Sequence, residues 1–280
     1  MKFVNRDATL FVPDGTQDGE IRTTHMWIGA HQDDAECAAF GPILECYEDA
    51  DLWFTVVTVA DGSGSPRGGR FANFTDEEMK IERRNEQNTA AAIGKYAAMY
   101  QLAYPSSEVK MRNNKELVSE LANIILRCRP EYIFTHNLAD KHETHVAVVL
   151  RVISALKLIQ DTFKPKSVIS LEGWRGLDWI NDDEKVIIPT SGAEDLELAL
   201  LQVFQSQIDG GRSYDIAAIS RRTSNAVFFE SHDVAKYLAM NFGMDITDLV
   251  YSDLDPFIWL NNRFIQPFAD SIKKNIETHM

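Results

Sequence analysis

Cysteine is scarce in this 280-residue chain: Cys37, Cys46 and Cys128 are the only three, and no two form a short paired spacing. That argues against a disulfide framework or a zinc ribbon and fits a reducing interior. Basic residues are also in short supply, with 28 Lys and Arg against 42 Asp and Glu, giving a formal charge of −14. A nonspecific grip on nucleic acid or on an anionic membrane is therefore not expected, although local basic groups could still bind a phosphate. No stretch approaches the roughly 20 apolar residues of a membrane span, and Met1 to Asp7 lacks the apolar core of a signal peptide. The expectation is a cytoplasmic protein. No internal repeat, low-complexity tract or linker interrupts the chain, so residues 1–280 are expected to form one domain. Pro13, Gly15 and Gly19 punctuate an irregular arm or short hairpin over about residues 1–23.

What is present alternates between strand-like and helix-like patterns. The apolar run from His25 to Ala30 ends in His31-Gln32-Asp33-Asp34, and helical spacing follows at Ala38, Phe40, Ile43, Leu44 and Tyr47. Residues 51–59 read as a second strand, buried on both faces, leading into a Gly- and Ser-rich loop from Asp61 to Arg70. Thr75 or Asp76 should cap a long helix ending near Gly94. Within it, Arg83 and Glu86 share a face, most simply as a solvated surface pair. Strand patterns recur at 98–103, 131–135, 167–171, 184–188 and 226–229. Helical patterns recur at about 114–128, 146–158, from Ser191 to about Gln207, and around 214–222. The alternation predicts a Rossmann-like three-layer α/β/α fold with a mostly parallel sheet and a partly antiparallel C-terminal extension.

Two polar clusters fall at strand ends, where open α/β sheets bind ligands. In the first, His31 and Asp34 are of the types that ligate zinc, with Asp33 between them as a base; the plainer reading is a helix cap. In the second, three of the seven histidines fall within ten residues, His136 to His145. His142 and His145, three apart, would project from one side of a helix start, one toward a metal and the other toward a substrate atom.

Ala30-His31-Gln32-Asp33-Asp34, followed by Asp140-Lys141-His142-Glu143-Thr144-His145, resembles the two motifs of the LmbE-like, or PIG-L, zinc-dependent deacetylases: Ala-His-Pro-Asp-Asp-Glu and Asp-x-His-x-Asp-His. Also similar are the Val57-Thr58 strand, Arg83 with Glu86, Ala90 and Gly94, and Phe204-Gln205-Ser206-Gln207, which is similar to the family's His-x-Ser-Gln. The resemblance spans roughly residues 25–230. It implies that His31, Asp34 and His145 bind Zn²⁺, that Asp33 is the general base, and that His142 faces the reacting carbonyl. It further implies hydrolysis of an N-acetyl group on a small N-acetylglucosamine-type compound, with Asp61, Arg67 and Arg70 on the substrate rim.

Gln32 stands where the family has proline, Ala35 where it has glutamate, with Glu36 one place later, and Thr144 where it has aspartate. Because no group needed for the chemistry is missing, activity is expected, with an altered pH profile. The competing readings are a noncatalytic sugar or nucleotide-sugar binder and a two-metal phosphoesterase; whether the chain forms a homo-oligomer is left open.

Overall fold

The computed structural model describes residues 2–229 and 234–280. In chain order the first half contains β1 (Thr9–Phe11), β2 (His25–Gly29), α1 (Asp34–Ala38), α2 (Phe40–Glu48), β3 (Phe54–Ala60), α3 (Asp76–Ile93), β4 (Ala98–Tyr104), α4 (Ser106–Val109), α5 (Lys115–Cys128) and β5 (Tyr132–His136). The second half contains α6 (Glu143–Ile159), β6 (Ser167–Leu171), β7 (Val186–Pro189), α7 (Glu194–Leu201), α8 (Gln205–Ile208), α9 (Tyr214–Phe229), β8 (Met240–Asp245), α10 (Thr247–Val250), α11 (Pro256–Leu260) and α12 (Gln266–His279).

Eight strands form one sheet in the order β1-β4-β3-β2-β5-β6-β8-β7. The five central strands are parallel, with β1 antiparallel to β4 and β8 antiparallel to both β6 and β7. Burial on both faces explains the mostly apolar, alternation-free sequences of β2 and β3. Along β2, Met26 and Ile28 pack with Leu121 of α5 and Val149 of α6, whereas Trp27 packs on the opposite face with Phe40 and Ile43 of α2, Ala90 of α3 and Leu200 of α7. These are the three expected layers.

The chain runs outward from β2 through β3 to β4, then returns to place β5 on the other side of β2. The carboxyl ends of β2 and β5 therefore flank the point where strand order reverses, the usual location of a crevice in such a sheet. In the β2–β5 register Ile28 lies opposite Thr135, so the His31 loop and the residues after His136 emerge side by side. Fold and site position are one consequence of this topology.

Three local expectations are corrected. Residues 226–229 end α9 rather than form a strand: Asn225 and Ala226 are buried while Val227 and Phe228 are exposed, which is helical alternation with no Gly or Pro to stop it. The helix expected to reach Gln207 ends at Leu201 and resumes as α8. The antiparallel extension contains an unanticipated strand, β8, inserted between β6 and β7. The N-terminal arm contributes β1, with Leu10 opposite Tyr100 on the sheet edge. All three cysteines are free, and among the described residues no helix is long and apolar enough to cross a membrane.

Candidate metal centre

The turn after β2 places Asp33 at the N-terminal boundary of α1 with φ 87°, a left-handed conformation uncommon outside glycine and better tolerated by aspartate than by most residues. Its side chain makes no capping bond. It turns instead to α3, where the buried Arg83 places Nη1 and Nη2 each 3.3 Å from Asp33 Oδ2 and donates to the Gln32 carbonyl. The backbone N–H of Asp33 donates to Gln87 Oε1 (3.0 Å), and Gln87 donates in turn to Glu36 Oε1 (2.8 Å), which also accepts from Tyr96 (2.8 Å).

Arg83 and Glu86 are therefore not the surface pair that helical spacing suggested. Both are buried, with Nη1 and Oε2 3.9 Å apart, and the Glu86 carboxylate accepts the Ser206 N–H and hydroxyl, each at 2.6 Å. The Thr75–Glu78 capping box starts α3 so that Met79, Arg83, Glu86, Gln87 and Ala90 share its inward face. Most of that face is polar, so no apolar stripe marked it as buried.

On the other side of the crevice, α6 begins at Glu143, with His142 at its boundary and His145 in its first turn. His31 Nδ1 and His145 Nε2 are 3.2 Å apart, and Asp34 places Oδ2 3.3 Å from the former and Oδ1 3.4 Å from the latter. A tetrahedral zinc centre with ~2.0–2.1 Å bonds needs donor separations of roughly 3.3–3.4 Å. Two nitrogens and one carboxylate oxygen are also a donor set that suits zinc. His31, Asp34 and His145 thus form a trio that could hold a cation, and His136, Asp140 and His145 form a second, fully buried trio that shares a member with it.

Electrostatics favour positive charge at this point. Burial pulls His145 down, but Asp34 and Asp140 outweigh it and raise its pKa to about 10. Burial alone would raise Asp34, yet His145 and His136 hold it well below the ordinary carboxylate range. His136, stacked on His145 with ring centroids 3.7 Å apart, is pushed down to about 4 by burial and by the His145 charge. Its Nε2 accepts the Ala30 N–H at 2.9 Å. His142 is likewise lowered to about 4, first by burial and then by His145 and His31, so it is a neutral imidazole at neutral pH. Asp33 is raised by burial, with Arg83 opposing, to about 7.

Asp140 ties the second loop together: Oδ2 accepts from His145 Nδ1 (3.0 Å) and the Trp174 N–H (3.1 Å), while Oδ1 accepts the His142 N–H (3.1 Å). This holds the Nδ1 proton of His145 and turns Nε2 toward His31, where a bound cation would take the place of the second proton.

Above the trio opens a cavity of about 620 Å³ that reaches both Asp33 and His142. The expected rim residues are engaged elsewhere. Asp61 accepts from the Ser63 N–H (3.0 Å) and hydroxyl (2.8 Å) and faces Lys80 at 3.4 Å. Arg67 binds the Ser63 carbonyl and pairs with Asp76, both at 2.7 Å, and Arg70 pairs with Asp209 at 3.3 Å. These three brace their loop, and the cavity is lined instead by Gly62, Gly64, Ser65 and Pro66 from the same segment. Sequence reasoning missed Trp174, Arg212 and Tyr214, which form the far wall. One signal was available for Trp174: it follows the carboxyl end of β6, the same edge of the sheet as the histidine clusters.

No curated protein matches the chain by sequence. Residues 26–156 match the family described as PIG-L, GlcNAc-PI de-N-acetylase. Among solved structures, N,N'-diacetylchitobiose deacetylase from Pyrococcus horikoshii aligns with a TM-score of 0.66 at 16% identity, over 89% of this chain and 93% of its own. The conserved protein TT1542 from Thermus thermophilus aligns at 0.64 and 17%, over 80% and 94%. GalB, the 4-carboxy-2-hydroxymuconate hydratase from Pseudomonas putida, aligns at 0.58 and 20%, over 80% and 96%. At these identities the likeness is one of fold. The family match covers both polar clusters that meet at the crevice, and over residues 26–156 the chain matches a PIG-L, or LmbE-like, family domain.

Proposed function

We propose that the protein hydrolyses the N-acetyl amide of an N-acetylglucosamine-type sugar conjugate, with His31, Asp34 and His145 holding Zn²⁺, Asp33 as general base and His142 beside the acyl oxygen. The observation that carries this reading is the meeting of the two loops: two imidazole nitrogens 3.2 Å apart, with one or the other oxygen of the Asp34 carboxylate 3.3 to 3.4 Å from each, at the foot of a cleft that also reaches Asp33 and His142. The family description and the likeness to the P. horikoshii deacetylase support it. When bound, zinc would lower the pKa of a water from about 15.7 to about 7 and polarise the acyl carbonyl.

The chain's own groups do the rest. Asp33, with a carboxyl pKa of about 7, takes a proton from the attacking water near neutral pH, and Arg83 keeps its carboxylate oriented from below. His142, neutral and half-buried, donates an N–H to the oxygen as negative charge develops there. The proton taken by Asp33 is then available to the departing amine, so that amide and water leave as amine and acetate.

The test is release of free amine from a panel of N-acetylated amino sugars, with and without a chelator, alongside metal analysis. Chelator-sensitive release with one zinc per chain is expected. Release from metal-free protein, two ions per chain, or sugar binding with neither zinc nor turnover would each overturn the assignment.

A further inference from the structure

Apart from the metal trio and the Asp33–Arg83 pair, the charged side chains lining the cavity are nearly all cationic: Lys110, Lys141, Arg212 and Arg221 against the single acid Glu172. This reverses the balance of the chain, in which acids outnumber bases by 42 to 28. Glu172 is buried and committed: Oε1 accepts from Asn225 (2.6 Å) and Asn241 (3.1 Å), and Oε2 from the Leu177 N–H (3.4 Å). Two of the cations are also committed, Lys110 to Glu143 at 3.4 Å and Arg221 to the Gly173 carbonyl.

Lys141 and Arg212 remain. Among the described residues neither side chain has an ion pair or hydrogen bond. Arg212 is nevertheless held in place, its guanidinium 5.3 Å over the ring of Trp174. That ring lies 5.9 Å from His142 and meets Tyr214 edge-on at 6.1 Å. Stacking on an aromatic face leaves the in-plane N–H groups of a guanidinium unspent, and these form the fork that receives a carboxylate or phosphate. Lys141 precedes His142 in the loop on the neighbouring side of the opening. A neutral sugar needs no such pair, and the −14 charge of the whole chain would oppose an anion unless local cations offset it.

We propose that the substrate is anionic, carrying a carboxylate or phosphate beyond its acetamide, and that Arg212 together with Lys141 binds that group while the Trp174–Tyr214 corner receives the sugar ring. The choice of an amino sugar rests on the deacetylase reading, whereas anion selection by these two side chains is measured separately from turnover.

Calorimetry on the metal-loaded full chain would compare glucosamine with glucosamine 6-phosphate and with muramic acid, the phosphate and carboxylate arms. At least one anionic sugar should bind about 10- to 100-fold more tightly than glucosamine, the range for a charge-assisted contact. The double variant Arg212→Gln, Lys141→Gln should erase that preference, leaving the three sugars with equal affinity, and Arg212→Glu should reverse it. Equal binding of all three sugars, or a preference that survives in the double variant, overturns the proposal; the latter places the anion on the metal. If no N-acetyl sugar releases amine, the deacetylase reading falls while the calorimetric result still decides the anion site.

Discussion

Arg83 and Asp33 meet beneath the cleft, both guanidinium Nη atoms 3.3 Å from a single carboxylate oxygen and both residues buried. Burial drives the Asp33 carboxyl up and the Arg83 charge is the largest influence restraining it, which leaves it at about 7. A general base works in its ionised form, so activity should fall as pH drops through this value. Arg83→Met removes the restraint. The acid limb of the kcat/KM profile should then move upward by about one unit or more, with activity at pH 7 falling most; an unmoved limb in a folded variant would show that Asp33 is not the titrating base.

Metal and proton functions should separate by mutation. Asp33→Asn is expected to keep zinc, because its side chain points to Arg83, and to lose about 10²- to 10⁴-fold in turnover. His145→Ala should lose zinc and turnover together. Metal content by elemental analysis, measured alongside amine release, distinguishes the two; zinc loss from Asp33→Asn would contradict the roles given.

Asp140 should tune the site without touching substrate. Its carboxylate accepts from His145 Nδ1 at 3.0 Å, and replacing such a partner of a ligating histidine typically weakens metal affinity about 10- to 100-fold. Asp140→Asn should therefore bind zinc more weakly in competition with a chromogenic chelator, yet recover turnover at saturating metal.

Glu36 links the active turn to stability. It is fully buried, and burial raises its carboxyl from the ordinary 4.5 to about 7 against the hydrogen bonds from Tyr96 and Gln87. A pKa raised on folding means that the folded state holds the proton more tightly. The resulting stabilisation is complete below about 4.5 and disappears as pH climbs through about 7. Glu36→Gln removes this dependence, so between pH 5 and pH 8 the variant should gain on the order of 1–3 kcal/mol relative to wild type, read from denaturant unfolding at both values.

The parts of this molecule that could be read from sequence were those encoded by contiguous residues. Strands β2 and β3 are mostly apolar because helices cover both faces, and the His31 and His142 loops lie just beyond strand ends. Arg83 was misplaced because a buried charge on a polar helix looks identical to a solvated one until its partner Asp33, fifty residues away, is known. Strand β8, Met-Asn-Phe-Gly-Met-Asp, alternates weakly and contains a glycine, so it carried little strand signal. The far wall of the cleft is assembled from Trp174, Arg212 and Tyr214, separate segments with no shared motif.

Arg222, from α9, donates to the carbonyls of Glu36 (2.7 Å) and Cys37 (3.0 Å) and is neutralised by Glu197. It lies well past residue 156, where the family match stops. Sequence kinship and mechanical cohesion therefore have different borders. A fragment trimmed to residues 26–156 would strip the short helix bearing Asp34 of its distant clamp, and anyone transplanting the two polar loops onto another scaffold would have to import that guanidinium as well.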